Sequence, residues 1–115
     1  MTKATIWHNP RCSKSRAALA ILQETPGVDV EVVEYLKTPP SRAEIKAVLA
    51  KAGVRPTEAI RKGEAVVKES GLDVTDDEAV LDAMAQHPIL IERAIVITDK
   101  GAVIARPPER ASELL

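Results

Sequence analysis

The spacing of apolar positions changes several times along the chain, and each change marks an element. Ala4–His8 is a short, largely apolar run that reads as a strand. Asn9-Pro10 stops it, because proline fixes φ and pushes the residue before it toward an extended conformation. From Ser13 onward Ser15, Ala18, Leu19 and Leu22 fall at helical spacing, and Pro26-Gly27 ends that run. Val28–Leu36 begins with alternation, Val28, Val30 and Val32 on one side and Asp29 and Glu31 on the other, and predicts a second strand. Strand, helix and strand in this order form a βαβ unit whose strands run parallel through a right-handed connection.

After the rigid Thr38-Pro39-Pro40 turn, Ser41-Arg-Ala-Glu44 is a capping box, in which Ser and Glu satisfy two otherwise orphaned backbone donors. Ile45, Val48, Leu49 and Ala52 make one apolar face, closed by Gly53. Short helices are expected at Pro56–Lys62 and Glu64–Ser70, ended by Gly63 and Gly71. Thr75-Asp-Asp-Glu78 reads as a second capping box, opening a helix with Val80, Leu81 and Met84 inward and stopped by Pro88. Ala94–Thr98 is a nearly continuous apolar run, the pattern of a buried strand. Asp99-Lys100-Gly101 supplies a hairpin turn, Ala102–Arg106 returns antiparallel, and Pro107 suits the first position of a last helix, Pro107–Leu115.

The order is therefore β-α-β, a helical block, then β-β-α. This is an α/β, thioredoxin-like arrangement with a four-stranded mixed sheet. The expected organisation is one domain, 1–115, carrying a helical insertion at about 41–87.

Composition narrows the function. Phenylalanine is absent and Trp7 and Tyr35 are the only aromatics, so the core must be aliphatic and base stacking on aromatic side chains has almost nothing to work with. A net charge of −1 gives no global pull toward nucleic acid or anionic membrane. The charge is unevenly placed: residues 1–23 carry Lys3, Arg11, Lys14 and Arg16 and no acid, whereas the remainder carries 12 basic and 17 acidic residues. The N-terminus lacks the apolar run of a signal peptide, and no stretch of about 18 apolar residues exists to span a membrane. One cysteine, with no internal partner, fits a reducing cytoplasm.

That cysteine, Cys12, falls in the positive zone, at the turn from the first strand into the first helix. Two readings stand side by side. Free cysteine is among the most buried residue types and is often inert. At a helix N-terminus, though, backbone N–H groups and the helix dipole favour the thiolate, and Arg11, Lys14 and Arg16 add positive charge. The placement and the three cations favour reactivity, in a nest that also suits an oxyanion. His8, four residues back, is positioned to assist as an imidazolium, and the Ser15 hydroxyl to donate to the thiolate. Cys12-Ser13-Lys14-Ser15 is C-x-x-S, with serine where a second, resolving cysteine would stand. A covalent intermediate on Cys12 must then be resolved by an outside thiol. Arg61, Arg93 and Arg106 each sit at the edge of an apolar segment, and arginine suits tetrahedral oxyanions through its planar fork, although a solvated surface role is open to each. His87, before Pro88, reads as a cap or structural residue.

His8-Asn9-Pro10-x-Cys12-x-x-Ser15-Arg16 resembles the active-site loop of the glutaredoxin-dependent arsenate reductases. The likeness continues through Tyr35-Leu36-x-Thr38-Pro39-Pro40, Arg61-Lys62, His87-Pro88-Ile89-Leu90-Ile91 and Arg106-Pro107, in order along nearly the whole chain. It implies a thioredoxin-like fold with a helical insertion. It also implies Cys12 as nucleophile toward arsenic, His8, Ser15 and Arg16 in support of the thiolate, and Arg61, Arg93 and Arg106 as the grip on arsenate. No bound cofactor or metal is implied. Glutathione is the implied co-substrate and glutaredoxin the implied protein partner. The family usually has proline directly after the arginine matching Arg93. Here the residue is Ala94, and because a cis bond before a non-proline costs about 2.5–4 kcal/mol, a trans Arg93–Ala94 bond is expected. The chain ends soon after Arg106-Pro107, as in the short chromosomal branch of the family. Two other functions remain compatible with the residues: a glutathione-linked thiol oxidoreductase acting on a different substrate, and a redox-responsive regulator that binds RNA polymerase. Ser15 disfavours the second, since such sensors usually carry C-x-x-C.

Overall fold

Alternation and β-branching place β1 at Thr2–Trp7 and β2 at Val28–Val33, in parallel register from Thr2↔Val28 to Trp7↔Val33. A computed structural model describes residues 2–115 of the chain. By its internal contacts the chain divides into two units, one running to Thr38 and resuming at Arg93–Leu115, the other Pro39–Glu92.

In the first unit α1 (Ser13–Glu24) makes the crossover between β1 and β2. β3 (Ile95–Thr98) pairs antiparallel with β1, and β4 (Gly101–Ile104) pairs antiparallel with β3, so the mixed sheet has the order β2-β1-β3-β4. α1 buries Ser15, Ala18 and Leu22, the i, i+3, i+7 stripe of an amphipathic helix. Ala18 and Leu22 pack with Ala4 and Ile6 of β1, Val96 of β3, Val103 of β4, and Ala94, Ala105 and Ala111. Full burial of a leucine such as Leu22 is worth about 1.5–3 kcal/mol. The helix ends where Thr25 Oγ1 donates to the Ile21 carbonyl and Gly27 takes a φ of 77°.

Three local expectations for this unit are corrected. β2 stops at Val33 rather than Leu36, because Lys37 and Thr38 both donate their N–H to the Glu34 carbonyl and close a turn. On this edge strand Val28 and Val30 reach the core, whereas Val32 is 42% exposed. The expected terminal helix is a 3₁₀ segment, Pro108–Ser112, packed against α1 and burying Ala111. Adjacent prolines at 107 and 108 remove two backbone donors at its start, and the N–H groups of Arg110 and Glu113 bond three residues back. The Arg93–Ala94 peptide, expected trans, is cis, as is Arg106–Pro107. The expectation rested on the dipeptide alone. Here Ala94 is fully buried in the sheet core, and its carbonyl accepts from Ala105 N–H at 2.8 Å.

The second unit holds α2 (Arg42–Ala52), α3 (Pro56–Ala59), α4 (Ala65–Ser70), α5 (Asp77–Gln86) and a 3₁₀ turn at Pro88–Leu90. The predicted cap of α2 is present in full: Glu44 N–H donates to Ser41 Oγ at 3.1 Å, Ser41 N–H donates to Glu44 Oε1 at 3.0 Å, and Gly53 closes the helix at φ 70°. Ile45 and Leu49 of α2 and Val80, Leu81 and Met84 of α5 are buried where these two helices pack. α5 is not opened by Thr75. Asp76 is its N-cap, accepting from the N–H groups of Glu78 and Ala79 at 3.0 and 3.3 Å. Thr75 is held outside the helix, its N–H and hydroxyl both donating to Asp73 Oδ1. His87 is the C-cap of α5.

Candidate active site

β1 delivers its C-terminal end to the site. His8 continues the ladder beyond the strand, donating its N–H to the Val33 carbonyl at 2.9 Å. His8, Asn9 and Ser15 are all buried, while Pro10 and Arg11 project outward. His8 Nδ1 and Ser15 Oγ share a hydrogen bond of 2.8 Å, and Asn9 N–H donates to the same hydroxyl at 3.0 Å. The buried hydroxyl thus ties the end of β1 to the first turn of α1.

Cys12 is the N-cap of α1, with φ −96° and ψ 122°. It is half-buried, so its thiol is reachable. Burial pushes the thiol up. The hydrogen-bonding Arg93 side chain, the Arg93 charge and the backbone N–H groups of Ser15 and Lys14 outweigh that, and the thiol lies below its ordinary value. A half-buried thiol below its ordinary value differs from the fully buried setting of an inert cysteine.

The supporting residues act differently from what their side chains suggest. Ser15 favours the thiolate through its backbone N–H, while its hydroxyl is engaged by His8 and Asn9. His8 is not the expected cation: burial lowers its pKa, Arg16 lowers it further, and the opposing pull of Glu34 and Ser15 does not restore it. The ring is neutral at neutral pH and serves as a hydrogen-bonding partner. Arg16 is exposed and donates from Nη1 to the Pro10 carbonyl at 2.8 Å, strapping the turn.

Among the arginines, Arg93 lies beside the thiol itself. Ile95 pairs with Ile104, and the bond between Ala94 and Ala105 continues that register, which sets Arg93 level with Arg106 just beyond β4. Trp7 pairs with Ile95, so the cysteine turn and both arginines share one end of the sheet. Arg61 belongs to the helical unit. There its Nε donates to Glu64 Oε1 at 3.1 Å and its Nη1 lies 3.5 Å from Glu92 Oε1. Sequence reasoning did not single out Glu64, Glu92, Glu34 or the structural part played by Asn9. The Asn9-Pro10 pair marked a break, but nothing in the spacing of acids identified the partners of Arg61 or His8. Among the described residues no cluster of His, Cys, Asp or Glu is arranged to hold a metal ion.

The model of the ArsC family matches residues 7–114, which spans β1's end, the cysteine turn, the helical unit and the β3–β4 hairpin. The chain belongs to the ArsC family. Among ArsC-related proteins, an arsenate reductase of Rhizobium meliloti is 45% identical over 96% of this chain and 80% of its own length. An arsenate reductase of Neisseria meningitidis serogroup A is 44% identical over the full length of both chains. The solved arsenate reductase from Vibrio cholerae superposes with a TM-score of 0.91 at 41% identity, covering 99% of this chain and 98% of the other. The ArsC fold, with its four-stranded mixed sheet, agrees with the thioredoxin-like arrangement expected from the order of elements.

Proposed function

We propose that this chain is an arsenate reductase working through an arsenylated Cys12. The observation that carries the proposal is the half-buried thiol at the N-cap of α1, held below its ordinary pKa by Arg93 and two backbone N–H groups. Its full-length likeness to proteins named arsenate reductase supports the choice of substrate.

The Cys12 thiolate attacks arsenic. An S–As bond forms and one As–O bond breaks, its oxygen leaving as water after protonation, with arsenic still pentavalent. Glutathione displaces a second oxygen as water and adds its own sulfur to arsenic. A glutaredoxin thiolate then attacks the glutathione sulfur. The S–As bond breaks, its electron pair stays on arsenic, and a mixed disulfide leaves. Hydrolysis of the remaining bond to Cys12 releases arsenite and returns the thiol. Two outside thiols thus supply the two electrons, a demand that follows from the single cysteine of the chain. Arg93 favours the attacking thiolate, and Arg93 and Arg106 hold the oxyanion through charge-assisted hydrogen bonds, which are about twice as strong as neutral ones. Arg61 is assigned to the same grip on the resemblance alone. His8, Ser15 and Arg16 keep the turn in place, and the chemistry suits a cytoplasm that holds glutathione.

A coupled assay tests this. Arsenate-dependent NADPH oxidation is followed with glutathione, glutaredoxin and glutathione reductase, and activity well above a Cys12→Ser control is expected. Equal rates for the two proteins would reject the proposal.

A further inference from the structure

We propose that Asn9 is a positioning residue for Cys12, its side-chain oxygen and both backbone groups fixing the turn that sets the thiol over the N-terminus of α1. Asn9 is 7% exposed, a burial unusual for asparagine unless its polar groups are used. They are used within one turn. Asn9 Oδ1 accepts from Arg11 N–H at 3.0 Å, the Asn9 carbonyl accepts from Cys12 N–H at 3.0 Å, and Asn9 N–H donates to Ser15 Oγ at 3.0 Å. The first is an Asx turn, in which the side-chain oxygen acts as a backbone carbonyl would and accepts from the N–H two residues ahead. Together the three bonds connect Asn9 to Arg11, to Cys12 itself and to Ser15, the helix residue whose N–H acts on the sulfur.

The consequence is geometric. Cys12 in its extended N-cap conformation makes no side-chain cap bond, yet the N–H groups of Lys14 and Ser15 help to lower its thiol, an influence that depends on how the turn holds the residue. That conformation is set by what precedes it, and Pro10 contributes no N–H of its own to the turn. The buried Asn9 side chain supplies a constraint on the turn besides the exposed Arg16 strap to the Pro10 carbonyl. Asn9 touches no reacting atom in this account and acts through Cys12.

The inference rests on the activated thiol of the proposed function, so its test reads the thiol directly. Alkylation of Cys12 by iodoacetamide across a pH series, followed by mass spectrometry, is compared in the full-length wild type, Asn9→Ala and Asn9→Ser, with circular dichroism confirming the fold of each. The charged and titratable groups near the turn are unchanged by either substitution: Arg93 and Arg106 beside β3 and β4, Glu34 after β2, His8, and Arg11, Lys14 and Arg16. Asn9→Ala is expected to raise the alkylation midpoint by about one pH unit, a tenfold loss of thiolate at a fixed pH below it. Asn9→Ser, whose hydroxyl makes the same kind of turn more weakly, is expected to show a smaller rise. Should Asn9→Ala fail to fold, Asn9→Ser decides alone, by whether its midpoint lies above the wild type. A depressed wild-type midpoint that is unchanged in every folded variant would overturn the role of Asn9 and leave the proposed function standing. A wild-type midpoint at the ordinary thiol value would overturn both.

Discussion

At Cys12 the decisive charge comes from a residue remote in sequence. Arg11, Lys14 and Arg16 made the turn look positive, yet the side chain that lowers the thiol is Arg93, together with two backbone N–H groups. The pH dependence follows with a definite sign. A lowered thiol pKa means that the thiolate persists as pH falls below the ordinary thiol value and is lost only on crossing the depressed one. Arg93→Ala removes the opposite charge and is expected to raise the Cys12 alkylation midpoint by about one unit. Arg106→Ala is expected to move that midpoint less than Arg93→Ala, whose side chain both bonds and charges the thiol, while weakening arsenate binding. Alkylation profiles and KM values for the two variants check this, and equal midpoints for Arg93→Ala and wild type would count against the assignment. His8 shows the complementary lesson. Its type and position suggested an imidazolium, but burial makes the charged form costly, and the neutral ring bonds to Ser15 instead.

At the scale of elements, helix starts were legible where side chain and backbone agree on one register, as at Ser41 and Glu44. They were less so in Thr75-Asp-Asp-Glu78, where two adjacent residues could each serve as cap. The structure places Asp76 there and uses Thr75 in a turn with Asp73. Asp76→Ala should therefore cost about 1 kcal/mol of stability, the usual loss for an N-cap, and Thr75→Ala clearly less. Urea denaturation of both variants measures the difference, and a larger loss at Thr75 would restore the capping box. The strand ends were overestimated for a related reason. Val28–Leu36 has one composition throughout, but the Glu34 carbonyl is claimed by the turn that follows. At the C-terminus, a proline suited to open a helix was followed by a second, and the segment tightened into 3₁₀ geometry.

For the molecule as a whole, electron counting sets the strongest constraint. Reducing arsenate to arsenite takes two electrons, and a chain with one cysteine cannot supply them by closing an internal disulfide. With arsenate and no added thiol, the purified protein should release no arsenite, and glutathione with glutaredoxin should restore turnover. Speciation of the released arsenic checks it. Arsenite released by the protein alone would mean a different reductant and a different mechanism.

The order of elements, the parallel βαβ start, the β3–β4 hairpin, the cap of α2 and the single thiol at a helix N-terminus were all determined by the sequence itself. Each depends on residues close together in the chain, where periodicity, proline and glycine act directly on the backbone. Tertiary structure alone decided that Arg93 would meet Cys12, that His8 would be neutral, that the Ser15 hydroxyl would face His8 and Asn9, and that the Arg93–Ala94 peptide would be cis. These depend on burial and on the registers of β1, β3 and β4, which bring together groups far apart in sequence. Local pattern carries no record of which distant side chain will lie beside a given thiol, and that neighbour helps to hold its pKa down.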